Sequence, residues 1–148
     1  MAKLLVIDDE VEICELIKFY LGNYFSDVST VQSVPQAIGK LKDNKFDLII
    51  TDLDLVSGTG ESLIRYVRRD DSLNHATAII AISGGREFDE ASVGHCRFVK
   101  KPFREEDLIE KIKDLKNELK KESSKESKKS ANEPTATHPD LMKLLKKS

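Results

Sequence analysis

Tryptophan is absent from this chain, and cysteine occurs only twice. Cys14 and Cys96 make neither a disulfide framework nor a metal-binding spacing, so both read as small, semi-buried side chains in a reducing compartment. No apolar run approaches the ~18 residues of a membrane span. The opening MAKLLVIDD meets two aspartates too soon to read as a signal peptide. A basic stripe on the folded part is lacking as well. Lys120 to Ser148 hold eight lysines against four acids, so residues 1–119 carry about −6 of a chain whose net charge is −2. An acidic body with a basic tail is not the footprint of a nucleic-acid binder. The absences leave a cytoplasmic protein with no nucleic-acid partner, and 148 residues suffice for one ordinary domain with a real core.

What is present is an alternation. Short apolar runs occur at Leu4–Ile7, Val28–Val31, Leu48–Ile50, Ala78–Ile82 and Phe98–Val99. Three of them are continuously apolar over three residues or more, as strands of a parallel sheet covered on both faces are. Between them, Ile13, Leu16, Ile17, Tyr20 and Leu21 recur at helical spacing, as do Ala37, Ile38 and Leu41, and Leu63, Ile64 and Val67. Residues 86–93 leave room for a short, poorly patterned helix. A long last helix follows Pro102, striped by Leu108, Ile112, Leu115 and Leu119. A β-α order repeated five times predicts a three-layer α/β fold with right-handed crossovers.

The folded domain is expected over 1–119. Residues 120–137, KKESSKESKKSANEPTAT, hold no aliphatic side chain larger than alanine and read as a disordered linker. Residues 138–148 read as a short basic amphipathic segment, with Leu141, Leu144 and Leu145 on one face. At that length a helix is marginal alone in water. The segment could dock in a partner's groove, touch an anionic surface weakly, or do nothing.

In an open parallel sheet the binding crevice lies beyond the carboxyl ends of the strands. Asp8 and Asp9 follow the first run, Asp52 the third, Ser83 the fourth and Lys101 the fifth. Each has an ordinary reading alone: Asp9 with Glu12 makes an N-terminal capping pair, Asp52 caps a loop, Ser83 ends a strand, and Lys101 is one surface lysine among many. Together they place three carboxylates, a hydroxyl and an ammonium on one sheet edge. Clustered carboxylates repel one another and need a cation, and an oxygen-seeking ion such as Mg²⁺ binds through one or two of them. One carboxylate can then attack a phosphoryl group, and Asp52, central in the sheet, is the natural nucleophile. Lys101 and the Ser83 hydroxyl would meet the phosphoryl oxygens.

The strings KLLVIDDE, FDLIITDLDL, Ser83 after AIIAI, and FVKKPF resemble the receiver domain of bacterial two-component response regulators, in order and over residues 3 to about 119. The resemblance implies a flavodoxin-like, doubly wound five-stranded parallel sheet of order 2-1-3-4-5. It implies phosphoryl transfer to Asp52 from a sensor histidine kinase or histidine phosphotransfer protein. It also implies Mg²⁺ at Asp9, Asp52 and the backbone carbonyl of Asp54, with Asp8 acting mostly through water. Ser83 and Phe98 would be the switch residues, Lys101 would pair with the phosphoryl group, and the Lys101–Pro102 bond would be cis. Output would pass to an unidentified effector protein, or the group would move on in a relay. Several positions depart from the family pattern. Val56 stands where proline is usual, although Gly60 matches. Asp54 and Gly85 occupy positions that tune phosphoryl lifetime, and Phe98 lacks the commoner tyrosine's hydroxyl. The stretch from Ser83 to Lys101 is several residues short, which shrinks the fourth helix and leaves at most a weak homodimer.

Two alternatives differ in class. A phosphorylation-independent pseudo-receiver would act as a binding module, but the acids and the lysine are all present. DLDLV also resembles the first motif of haloacid-dehalogenase-type phosphatases, with Asp54 as acid-base. There the nucleophile strand comes first, whereas here Asp8 and Asp9 precede it.

Overall fold

The computed structural model describes residues 2–55, 58–85 and 87–126. Five parallel strands form the sheet: β1 (Lys3–Ile7), β2 (Asp27–Val31), β3 (Leu48–Asp52), β4 (Ala78–Ser83) and β5 (Cys96–Lys100). Their order is β2-β1-β3-β4-β5, as expected. The helices are α1 (Val11–Leu21), α2 (Val34–Asp43), α3 (Gly60–Val67) and α4 (Glu105–Glu126).

Alternate strand residues explain why the runs are continuously apolar. Leu4, Val6, Leu48, Ile50, Ile80 and Ile82 pack with Ile17 and Leu21 of α1 and Leu108, Ile112 and Leu115 of α4. Leu5, Ile7, Ile49, Ile79 and Ala81 pack with Ala37 and Leu41 of α2 and Leu63, Ile64 and Val67 of α3. Both sheet faces are therefore covered, and each fully buried aliphatic side chain contributes about 1.5–3 kcal/mol. Cys14 and Cys96 are buried free thiols within this core.

Local signals set the helix starts. Ser33 Oγ accepts from the Gln36 N–H at the head of α2, and Thr59 Oγ1 accepts from the Ser62 N–H at the head of α3. The Asp9–Glu12 capping pair does not form. Glu10 is the N-cap of α1 and makes no side-chain cap bond, while Asp8 Oδ1 accepts from the Glu10 N–H at 2.9 Å.

Two segments depart from the sequence reading. Between Gly85 and β5 the described residues hold a single 3₁₀ turn, Glu90–Ser92, capped by Asp89, in place of a short helix. Phe88 and Val93 pack against the core from this stretch, but they stand five apart and would fall on different faces of a helix. The backbone of α4 continues to Glu126, past the Lys120 boundary, since its run of Lys, Glu and Leu has high helix propensity. Val56 and residues 127–148, with most of the expected linker and the whole basic segment, lie outside the described residues.

Arg68, one residue beyond α3, stitches two loops together. Its guanidinium donates to the carbonyls of His75 at 3.1 Å, Thr77 at 2.8 Å, Gly94 at 2.9 Å and His95 at 3.1 Å. The entrances to β4 and β5 are thereby held side by side. Arg68→Met keeps the aliphatic stem and leaves those carbonyls without the charged donor. We expect a loss of about 2 kcal/mol in urea unfolding with an unchanged m-value.

Candidate functional site

The carboxyl edge of the sheet collects the residues that follow the strands. Asp8 comes directly after β1, its N–H bonded to the Val31 carbonyl at 3.1 Å. Asp52 ends β3 and Ser83 ends β4. Lys101 follows β5, and its N–H donates to the Ser83 carbonyl at 2.9 Å. The Lys101–Pro102 peptide is cis. Asp8, Asp52 and Ser83 are buried, a placement that needs compensating partners.

The partners are present. One carboxylate oxygen from each of Asp8, Asp9 and Asp52 lies within 4.8 Å of the others. Lys101 Nζ approaches Asp8 Oδ2 to 3.0 Å and Asp52 Oδ2 to 3.4 Å. Burial raises the Asp8 carboxyl to about 6, against opposing help from the Glu10 N–H and Lys101. Burial by itself would lower the Lys101 ammonium, but the Asp8 and Asp52 carboxylates outweigh it and hold the group above its ordinary value.

Three acids facing one ammonium leave negative charge uncompensated. The donor set is oxygen only, and among the described residues the buried Asp8 Oδ2 has the Lys101 ammonium as its partner. A hard divalent cation is the partner that such a set fits.

Asp54 is not among the three clustered carboxylates. Beyond Asp52, a small antiparallel ladder pairs Asp54 with Thr59 and Leu55 with Gly58. It turns the Asp54 side chain toward Ser83, whose Oγ donates to Asp54 Oδ2 at 2.7 Å. Asp54 N–H in turn donates to Asp52 Oδ1 at 3.2 Å. This side-chain link was not foreseen from the sequence; the only hint is that Asp52 and Asp54 are two apart and so share a side in extended chain. Phe98 sits apart, in mid-β5 opposite Ala81. It is half-buried, and its N–H donates to Glu90 Oε2 at 2.7 Å.

The model of the response regulator receiver domain matches residues 4–113. The chain belongs to the response regulator receiver family. It is 28% identical over 117 residues to the chemotaxis protein CheY of Pseudomonas aeruginosa, covering 76% of this chain and 94% of that protein. It is 30% identical over 115 residues to the regulatory protein VanR of Enterococcus faecium, covering 75% of this chain but 48% of VanR. The phosphate regulon transcriptional regulatory protein PhoB of Escherichia coli is 28% identical, with half of its length covered. The chain thus spans nearly all of one relative and about half of the other two. Among solved structures, the receiver resembles the chemotaxis protein CheY4 of Vibrio cholerae, with a TM-score of 0.69, 25% identity, and coverage of 78% of this chain and 98% of that one. A CheY-like receiver from Methanospirillum hungatei shares the fold at a TM-score of 0.71. Membership of this family makes the chain a receiver of the two-component signalling type and sets aside the haloacid-dehalogenase alternative. Among the described residues, no helix is long and apolar enough to cross a membrane.

Proposed function

We propose that Asp52 accepts a phosphoryl group from a phosphohistidine donor, and that the resulting change around Ser83 and Lys101 controls binding of an effector protein in the cytoplasm. The observation that supports this reading best is the convergence of Asp8, Asp9 and Asp52 with Lys101 and Ser83 at one sheet edge. The donor is a sensor histidine kinase or a histidine phosphotransfer protein. On this reading the domain works as a phosphoacceptor and acts only on its own phosphorylation state.

In the transfer, an Asp52 carboxylate oxygen forms a bond to phosphorus while the bond from phosphorus to the donor imidazole nitrogen breaks. That nitrogen takes up a proton. Asp9, Asp52 and the Asp54 carbonyl would hold Mg²⁺, with Asp8 acting through water, and the cation would supply the positive charge that lets two anionic groups approach. Lys101, already beside Asp52, is placed to neutralise a phosphoryl oxygen without large movement. Ser83 would turn its hydroxyl to another. The new group adds about −1.5 to −2 charge to the edge. The loops that carry Ser83 and Lys101 then settle into the arrangement that binds it better, and a pre-existing equilibrium shifts.

The residue-level test uses the acyl phosphate's own chemistry. Borohydride reduces an aspartyl phosphate to homoserine and leaves free aspartate untouched. After phosphorylation with a small acyl phosphate and Mg²⁺, peptide mapping is expected to find homoserine at position 52. Homoserine at Asp8, Asp9 or Asp54 would move the acceptor, and none anywhere would favour the pseudo-receiver.

A further inference from the structure

A serine hydroxyl has one proton to donate. Ser83 gives its proton to Asp54 Oδ2 at 2.7 Å, and its oxygen accepts from the Gly85 N–H at 3.4 Å. The phosphorylated domain, as read above, sends that same proton to a phosphoryl oxygen on Asp52. The two hydrogen bonds exclude each other.

Asp54 is well held for this competition. Its backbone is fixed by the pairing with Thr59 and by the bond from its N–H to Asp52 Oδ1. The residue itself is exposed, so its carboxylate bonds Ser83 from the solvent side of the site. A hydroxyl bonded to a carboxylate is a charge-assisted pair, stronger than a neutral one. The accepted bond from Gly85 ties the first residues of the β4–β5 loop to the hydroxyl's orientation, so releasing Ser83 also releases that loop.

We propose that Asp54 is a positioning residue that latches Ser83 in the unphosphorylated state, so that phosphorylation must break the Ser83–Asp54 bond to throw the switch. The inference rests on the reading of Asp52 as phosphoacceptor and adds what opposes the transition. Asp54 resists a phosphoryl group in two separable ways. Its charge repels any anion at Asp52, whatever residue occupies position 83. Its hold on the hydroxyl acts only when residue 83 has a proton to give.

A double-mutant cycle separates them. The full chain would be compared as wild type, Asp54→Ala, Ser83→Ala and the double variant. Each would be titrated with beryllofluoride, a phosphoryl mimic, in the presence of Mg²⁺ and followed by calorimetry. Asp54→Ala keeps the backbone carbonyl and removes an exposed carboxylate. It is expected to bind the mimic about tenfold more tightly than wild type, the size expected for losing one charge-assisted hydrogen bond. In the Ser83→Ala background the gain should shrink to about threefold or less. Asp54→Asn, which retains an acceptor oxygen without the charge, should fall between wild type and Asp54→Ala. An equal gain in both backgrounds, or none in either, overturns the latch and leaves the phosphoacceptor reading standing. No Mg²⁺-dependent binding by the wild type overturns that reading and the latch with it.

Discussion

Gly60→Ala is expected to lower the melting temperature by about 10 °C, equivalent to a loss of about 3 kcal/mol. A β-carbon at position 60 would stand 2.3 Å from the Asp52 carbonyl oxygen and 2.7 Å from Leu53 Cα. Both are backbone atoms at the end of β3, so no rotamer change can make room. The Gly60 N–H also donates to the Leu53 carbonyl at 3.1 Å, which draws the head of α3 against that strand end. Glycine is required by this close approach and not by an unusual backbone angle. The added methyl would push directly on Asp52, so phosphoryl uptake should fall along with stability. Gly39→Ala is the matched control. Gly39 lies within α2, and a β-carbon there meets nothing within 4 Å. It should stabilise the domain by about 0.5–1 kcal/mol. A Gly60→Ala protein melting within 2 °C of wild type would refute the packing described at the acceptor strand.

Mg²⁺ affinity is expected to fall about tenfold for each pH unit below about 6. Burial raises the Asp8 carboxyl to about 6; the Glu10 N–H and Lys101 only partly offset it. Below that pH the cluster carries one negative charge fewer, and a cation must displace a proton to bind. The same group predicts the pH dependence of the cation-free fold. An unfolded aspartate ionises near 3.8 and Asp8 in the folded domain near 6, so between these values the folded state binds more protons. Stability is therefore greatest below the unfolded value and is lost as pH rises through 6, by about 3 kcal/mol from this residue. Mg²⁺ at a fixed concentration should offset that loss at pH 7–8 and stabilise the fold less at pH 5. Lys101, raised by its acids, contributes stability that is lost only in the alkaline range, outside this window. Calorimetric titration with Mg²⁺ at pH 5, 6, 7 and 8, with Asp8→Asn beside it, checks the slope. A pH-independent affinity in the wild type would contradict the assignment.

Much of this was written plainly in the chain because a parallel sheet buried on both faces needs uninterrupted apolar strands. Four of the five strands end on, or one residue before, a polar residue of the site, and those residues are Asp8, Asp52, Ser83 and Lys101. Strand order then brings them to one edge. What stayed hidden depends on loops meeting across long separations. Asn74 reads as an ordinary loop residue, yet it is fully buried. It accepts from the Phe46 N–H at 2.8 Å and donates to the carbonyls of Leu41 at 3.2 Å and Asn44 at 2.8 Å. No local pattern announces such partners. The Ser83–Asp54 bond, across 29 positions, is hidden for the same reason. The capping pair at Asp9 and Glu12 misleads because the helix begins one residue later than that pair requires. Residues 87–93 mislead in another way: Phe88 and Val93 both pack against the core but stand five apart, a spacing that one helix face does not hold, and the segment makes one 3₁₀ turn.

Intact mass decides whether Asp52 takes up a phosphoryl group with Mg²⁺. The full chain would be incubated with a small acyl phosphate and Mg²⁺, with an EDTA control and the Asp52→Asn variant run in parallel. A gain of one phosphoryl group that requires both the cation and Asp52 is expected. No gain by a wild-type protein shown separately to bind Mg²⁺, or an equal gain by Asp52→Asn, would contradict it.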